Sequence, residues 1–342
     1  MGDQRPGRGL RPGLGRSLDK NNRGRVRISV PGIVRRSAAA STSSNVHARE
    51  EIVHVDFRRT DDIEEALASL AELGPDAQIL AGGTDLMMQI QRGELDPGTL
   101  VHIERVDGIG EITENGRLTV GALATHLELS RHPALLDRYP SISYSASLVG
   151  GWQTQAVGTI GGNVCNASPA ADLLPPLLVH GARVLVASQD RGEREVPLPD
   201  FVVGRRSIAR EPDELVTGFS LDPVEEGTAD SYRKVGRRGA MEVAIVGVAV
   251  RLSVDSEATI KEARVAVCSV GPVPFRATAA EESLIGLTAD SDEIAAAGQL
   301  LLEQSQPIDD ARATARYRTM VLPRVFESVV TDCYLRATGP SR

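Results

Sequence analysis

The sequence of 342 residues is poor in aromatic residues, in cysteine and in long apolar runs. Aromatic residues make up 3% of the chain, which leaves little material for a surface that stacks nucleic acid bases. Cys165, Cys268 and Cys333 are odd in number and far apart, so their spacing indicates neither a disulfide framework nor a metal or iron–sulfur site. The longest apolar run, residues 243–250, is far shorter than the roughly 20 residues of a membrane helix. These shortages predict a cytoplasmic protein with no membrane span and no nucleic acid partner.

Charge is distributed unevenly along the chain. The first fifty residues carry eleven Lys or Arg against three acidic residues, a net charge of +8 in a chain whose total is −8. This segment is rich in Gly, Arg and Ser and shows no apolar periodicity, which favours a disordered basic tail over a nucleic acid-binding arm. We therefore expect residues 1–50 to be disordered and the acidic remainder to repel phosphate backbones.

The length predicts two folded domains, because a single core usually stops growing at roughly 250 to 300 residues. Strand patterns followed by separate helical patterns appear after about residue 231, which is typical of an α+β domain. We place the boundary within residues 223–230, so the first domain is expected at 51–226 and the second at 227–338.

A glycine pair follows a strand pattern early in the first domain. Residues 79–86 read ILAGGTDL, with a short strand predicted at 78–80 and a helix at 86–91. Adjacent glycines let backbone amides approach a bound group closely, and successive amides can form a nest for an anion such as a diphosphate. An ordinary tight turn is the alternative. The stretch matches neither a Walker A loop nor GxGxxG.

A second glycine turn is predicted about 75 residues later, where residues 159–163 read TIGGN. Thr159 and Asn163 can hydrogen-bond phosphate oxygens without adding charge. The chain continues as NASPAADLLP over residues 166–175, in which Asp172 is a carboxylate within an apolar run. Such a carboxylate can accept a hydrogen bond from a ribose hydroxyl or an adenine amino group, or it can cap the helix that follows.

Taken together, these stretches resemble the two flavin motifs of the FAD-binding subunit of the molybdenum hydroxylases, the family that includes carbon monoxide dehydrogenase and xanthine dehydrogenase. The resemblance extends through residues 231–238 and 276–278 and covers roughly residues 51–338. It implies a vanillyl-alcohol-oxidase-like (PCMH-type) FAD-binding domain of two α/β subdomains, at about 51–104 and 105–226. A smaller α+β domain follows, so the expected fold class is α+β.

The resemblance also implies which residues hold a noncovalent FAD. Asp172 is expected to bind its ADP portion, Val149 and Val216 to lie near the isoalloxazine ring, and Lys234 to contact the flavin. Without the resemblance, Lys234 would be a surface charge on a strand. The residues expected at the diphosphate are Ile79, Leu80, Ala81, Gly82, Gly83, Thr84, Asp85, Leu86, Thr159, Ile160, Gly161, Gly162 and Asn163. No catalytic side chain and no metal ligand is expected, because the flavin carries the redox chemistry.

The function that the resemblance implies is electron relay. Electrons would pass from [2Fe-2S] clusters on a small partner subunit through FAD to NAD, oxygen, a quinone or another acceptor, while a large molybdopterin-binding subunit hydroxylates the substrate. The expected assembly is a dimer of heterotrimers. One departure is that Gln155 and Ala156 stand where the family often has Arg-Asn, which removes a positive charge near the flavin. The alternatives are a free-standing flavoprotein oxidase or reductase, or a degenerate module that has lost FAD.

Overall fold

The computed structural model describes residues 25–30, 53–288 and 292–339. In chain order, its strands are β1 Arg25–Val30, β2 Val53–Arg59, β3 Ala77–Leu80, β4 Thr99–His102, β5 Ile112–Glu114, β6 Leu118–Gly121, β7 Arg183–Ser188, β8 Gly192–Pro197, β9 Val202–Gly204, β10 Ser207–Ile208, β11 Glu214–Leu221, β12 Thr228–Val235, β13 Val246–Val254, β14 Ile260–Cys268 and β15 Phe275–Arg276. Its helices are α1 Ile63–Leu73, α2 Leu86–Gln91, α3 His126–Leu129, α4 Pro133–Arg138, α5 Pro140–Ser147, α6 Trp152–Val157, α7 Ile160–Cys165, α8 Leu174–Val179, α9 Leu198–Phe201, α10 Thr278–Leu284, α11 Glu293–Glu303 and α12 Ala315–Ala337, with a 3₁₀ helix at Gly74–Asp76.

The first sheet has the order β1-β2-β4-β3, in which β4 pairs in parallel with both β2 and β3. Helix α1 connects β2 to β3 and packs Ala66 and Leu70 against Val101 of β4. It begins at Asp62, whose side chain accepts a hydrogen bond from the Glu65 amide at 2.7 Å. The first glycine pair, Gly82 and Gly83, follows the carboxyl end of β3.

Strand β1 departs, at residues 25–30, from the expectation that residues 1–50 form a disordered tail. It pairs antiparallel with β2, which satisfies one edge of its backbone. Val26, Ile28 and Val30 alternate with polar residues, a strand pattern that the surrounding glycines and prolines obscure in the sequence. The other residues of the tail lie outside the described ranges.

The second sheet is antiparallel, in the order β5-β6-β11-β7-β8. Its buried face carries Val120, Val184 and Phe219, which share one core with Leu129 of α3 and Leu177 of α8. The helices between β6 and β7 therefore cover this sheet, and the second glycine stretch is held among them.

The third sheet, β12-β13-β14-β15, forms the C-terminal part with α10, α11 and α12 packed on one face. Every residue of β13 is buried, because α8 of the preceding part contacts β13 and β14 as well. Three helices grouped after four antiparallel strands give the predicted α+β arrangement. Across the described ranges, no helix combines the length and the apolar character that a membrane span requires.

Candidate functional site

A cavity of about 520 Å³ lies where the first sheet meets the second, and both glycine stretches line it. The first stretch leaves β3 and enters α2. A Cβ on Gly82 would lie 1.7 Å from the Val157 carbonyl oxygen, so only glycine lets the first stretch contact the end of α6, just before the second stretch. Gly83 has φ +69°, a left-handed conformation that favours glycine.

The second stretch is the start of a helix and not the turn that the sequence analysis predicted. Thr159 is the N-cap of α7, and its Oγ1 accepts a hydrogen bond from the Gly162 amide at 3.1 Å. A Cβ on Gly161 would meet the Ala122 carbonyl oxygen at 2.7 Å, whereas one on Gly162 would meet only Thr159 Oγ1 at 3.2 Å. Gly161 therefore packs α7 against the second sheet, and Gly162 leaves a smooth wall that a ligand can approach.

Most of the residues that the resemblance implied are brought together at this cavity. Leu80 instead packs against Ile90 and Leu100, and Ile160 is fully buried in the core of the second sheet. Asp172 and Lys234 also lie outside the lining. The predicted residues that line the cavity are Ile79, Ala81, Gly82, Gly83, Thr84, Asp85, Leu86, Val149, Thr159, Gly161, Gly162, Asn163 and Val216.

Asp172 and Lys234 form a buried ion pair, with 2.7 Å between Oδ2 and Nζ and side chains that are 8% and 9% exposed. Tyr232 donates its hydroxyl hydrogen to Asp172 Oδ1 at 2.8 Å, and Lys234 donates to the Leu148 carbonyl at 3.1 Å. Burial raises the pKa of Asp172, although the charge of Lys234 opposes this shift. The pair thus joins β12 to the segment that carries Val149.

Two alternatives from the sequence analysis are wrong at this pair. Asp172 does not cap α8, whose N-cap is Leu173, with no side-chain cap bond. Lys234 is not a surface charge, because its side chain lies between α5 and the Asp172 carboxylate. Asp172 and Lys234 are 62 residues apart in the sequence, so local sequence does not show that each one is the partner of the other.

Several residues that sequence reasoning missed also line the cavity: His126, Glu94, Arg206 and Arg210. His126 is 3% exposed, and burial lowers its pKa to about 4, so its imidazole is neutral near pH 7. Arg206 lies at the turn between β9 and β10, with φ +56° and its amide donating to the Ala167 carbonyl. No local motif marks these residues, because they reach the cavity only through the folding of distant segments.

The departure from the family pattern lies outside the cavity wall. Gln155 donates from Nε2 to the Ser147 carbonyl at 2.7 Å and thereby ties α6 to the end of α5. Ala156 is exposed. Neither residue lines the cavity, whereas the neighbouring Thr154 does.

The chemistry of the wall fits FAD. Gly162 provides the open approach that a diphosphate needs, and Asn163 Oδ1 is buried without a hydrogen-bond partner among the described residues. Burial raises the pKa of Cys165 to about 11, so the cysteine on this wall is a thiol and not a nucleophilic thiolate. The described residues contain no His, Cys, Asp or Glu group arranged to hold a metal ion. Fold and cavity define a dinucleotide-binding domain joined to an α+β domain.

Comparison with known proteins specifies this class further. Residues 53–222 match the FAD binding domain in molybdopterin dehydrogenase, and residues 230–333 match the CO dehydrogenase flavoprotein C-terminal domain. The chain is 30% identical to the 6-hydroxypseudooxynicotine dehydrogenase complex subunit alpha of Paenarthrobacter nicotinovorans, covering 82% of this chain and 95% of that protein. It is 27% identical to a putative xanthine dehydrogenase FAD-binding subunit of Escherichia coli, covering 83% and 97%.

Solved structures agree with these matches. CO dehydrogenase from Oligotropha carboxidovorans superposes with a TM-score of 0.79 at 28% identity, over 82% of this chain and 98% of that chain. Quinoline 2-oxidoreductase from Pseudomonas putida 86 gives 0.77 at 25% identity, over 83% and 98%. The chain belongs to the family of FAD-binding subunits of molybdenum hydroxylases, which are oxidoreductases. The predicted fold class and cofactor are thereby confirmed.

Proposed function

We propose that this chain relays electrons from [2Fe-2S] clusters of a small partner subunit, through a noncovalent FAD, to an external acceptor. The observation that carries the proposal is the meeting of both glycine stretches on one cavity, with Gly82 packed against Val157. FAD suits a relay because it exchanges electrons singly as well as in pairs. The substrate would be hydroxylated elsewhere, on a large molybdopterin-binding subunit.

The residues of this chain would bind and orient the cofactor. The backbone at Gly83 and Gly162 would lie along the diphosphate, while Val149 and Val216 would exclude water from the isoalloxazine ring. Direct contacts of Asp172 and Lys234 with FAD stay predictions. The hydrogen bond from Lys234 to Leu148 supports a positioning role for this pair, because Leu148 directly precedes Val149.

We infer an assembly in which the chain works with two partners, as a dimer of heterotrimers in the cytoplasm. Its relatives support partners because they are named as subunits or medium chains of dehydrogenases. Within the chain we propose a flavin domain at residues 51–226 and a C-terminal domain at 227–338.

The test is an absorption spectrum of the purified chain before and after addition of FAD, followed by reduction with NADH and with a reduced [2Fe-2S] protein. We expect the two visible bands of oxidised flavin and fast reduction by the iron–sulfur donor. Rapid turnover with NADH together with slow reduction by the iron–sulfur donor would favour a free-standing flavoprotein. A chain that stays colourless in excess FAD would contradict the relay and favour a module that has lost its cofactor.

A further inference from the structure

The cavity must accommodate the negative charge of a diphosphate, yet its two glycine stretches contribute no cation. The charged side chains on its wall are Asp85, Glu94, Arg206 and Arg210. His126 adds no charge near pH 7, because burial lowers its pKa to about 4. Among the described residues, the positive charge on the wall therefore comes from the segment of residues 206–210, which neither glycine motif includes.

Arg210 is a fixed positive charge. Its Nη1 donates to the carbonyls of Glu211, Pro212 and Glu214, at 3.0, 3.3 and 2.6 Å, so the guanidinium is held in place by neutral acceptors. No carboxylate of the described ranges pairs with it in a salt bridge, in contrast to Arg194, which binds Glu214 at 2.7 Å. Arg210 thus keeps its full charge beside the cavity, next to Cys165 of α7.

Arg206 is the second cation, and a carboxylate neutralises it in part. Its Nη1 lies 2.8 Å from Glu94 Oε2, and the two side chains are 46% and 38% exposed. The charge of Arg206 also acts on Asp85 of the first glycine stretch. Its backbone is bonded to Ala167, just beyond α7. Arg206 therefore lies on the cavity wall near both segments between which a diphosphate would lie.

We propose that Arg210 and Arg206, which both line the cavity, form the cationic side of a diphosphate subsite. The assignment rests on the proposed function only in taking FAD as the ligand. Charge-assisted hydrogen bonds to phosphate are roughly twice as strong as neutral ones, so one retained cation can decide affinity. The competing explanation is that Arg210 has a purely structural role, in which its hydrogen bonds to backbone carbonyls stabilise the turn before β11.

The experiment measures the dissociation constants of FAD and of ADP by calorimetry, using the full chain from which flavin has been removed. Arg210→Gln should weaken both by about ten-fold or more, and Arg210→Lys should keep most of the affinity because the charge is retained. The matched control is Arg194→Gln, which also loses bonds to Glu214 and to a nearby carbonyl but does not line the cavity. Equal losses in Arg210→Gln and Arg194→Gln would overturn the proposal.

Glu94 pairs with Arg206 and so competes with a diphosphate for its charge. Removing this carboxylate should therefore strengthen binding, whereas removing Arg210 should weaken it. Glu94→Gln should tighten FAD and ADP binding a few-fold, a gain that local disruption of the fold would not produce. Binding should weaken with added salt in the wild type and less steeply in Arg210→Gln, because a charge contact is screened. Weaker binding in Glu94→Gln, or equal salt slopes, would contradict the subsite.

The two ligands separate this proposal from the proposed function. A wild-type chain that binds ADP through Arg210 but takes up no FAD would contradict the proposed function and support the subsite. If the wild-type chain and Arg210→Gln bind FAD with equal affinity, the result would support the proposed function and overturn the subsite. Failure to bind either ligand would overturn both.

Discussion

At the scale of single residues, the glycines of the cavity differ in what a side chain would meet: the backbone of a neighbouring segment at some positions, and a single side-chain oxygen at Gly162. Gly82 and Gly161 leave no room for a side chain, because a Cβ would overlap a backbone carbonyl of a neighbouring segment. Gly83 has the left-handed φ of +69°. At Gly162, in the first turn of α7, a Cβ would meet only the Thr159 Oγ1 atom, at 3.2 Å, so a substitution there tests ligand binding with less disturbance of the fold than one at Gly82 or Gly161.

We predict that Gly162→Ala lowers FAD affinity by about ten-fold while the free energy of unfolding changes by less than about 1 kcal/mol. The methyl group would stand where the diphosphate approaches, and the preference of a helix for alanine over glycine is opposed by a contact of 3.2 Å between the new Cβ and Thr159 Oγ1. Titration with FAD and urea unfolding of the flavin-free chain measure the two effects.

The control for this variant is Gly98→Ala, an exposed position where a Cβ would meet Asp76 only at 3.4 Å or beyond. This variant should leave FAD affinity unchanged. If Gly162→Ala binds FAD as tightly as Gly98→Ala does, the diphosphate does not lie along α7.

At the scale of elements, the Asp172–Lys234 pair fixes β12 against the end of α5. Removing one partner of a buried pair leaves an uncompensated charge, which typically costs about 3 to 5 kcal/mol. We predict a loss of this size for Lys234→Met at neutral pH, measured by urea unfolding. FAD affinity should also fall, because Lys234 no longer holds the Leu148 carbonyl beside Val149.

The pH dependence of this loss tests its electrostatic origin. Burial already raises the pKa of Asp172, and the loss of Lys234 removes an opposing charge, so the folded variant should bind a proton more readily than the unfolded chain does. Stability of Lys234→Met should therefore recover as pH falls through the raised pKa of Asp172.

The double variant Asp172→Asn/Lys234→Met should recover most of the stability at neutral pH. A double variant as unstable as the sum of both single losses would show that the residues act independently.

The same elements show which parts of the site are predictable from sequence. The strand at residues 78–80 and the helix at 86–91 follow from local apolar spacing, and β3 and α2 lie there. The sequence predicts a turn where α7 begins, because a glycine pair disfavours a helix locally. The Thr159 side chain caps the helix and offsets this effect, but a cap leaves no trace in the spacing of apolar residues. The Asp172–Lys234 pair and the approach of Arg210 span many residues, so tertiary packing and not local pattern determines them.

At the scale of the whole molecule, the flavin-binding part and the C-terminal part share one core. Tyr232, Ala249 and Ala266 of the third sheet belong to the same apolar cluster as Leu177 of α8 and Phe219 of the second sheet. Helix α8 therefore has a sheet on both sides. The two matched family segments are therefore packed against each other through this helix.

A buried polar contact fixes the same junction. Asp230, at the start of the third sheet, accepts a hydrogen bond from the Ser141 amide of α5 at 2.9 Å. The same carboxylate oxygen lies 2.9 Å from Nε2 of His180, at the end of α8, and both side chains are almost fully buried. One carboxylate thus holds two helices of the flavin-binding part against β12, and its loss would leave both partners buried and unsatisfied.

We predict that the whole chain unfolds in a single calorimetric transition and that Asp230→Ala lowers its stability by about 3 kcal/mol or more. Glu303→Ala, on the exposed side of α11, is the control and should change stability by less than about 0.5 kcal/mol.

Because Asp230 joins the two parts without lining the cavity, Asp230→Ala should also begin to separate the single unfolding transition into two, with release of FAD following the transition at the lower temperature. Two well-separated transitions in the wild type would contradict the shared core, because parts that pack into one apolar cluster should unfold together.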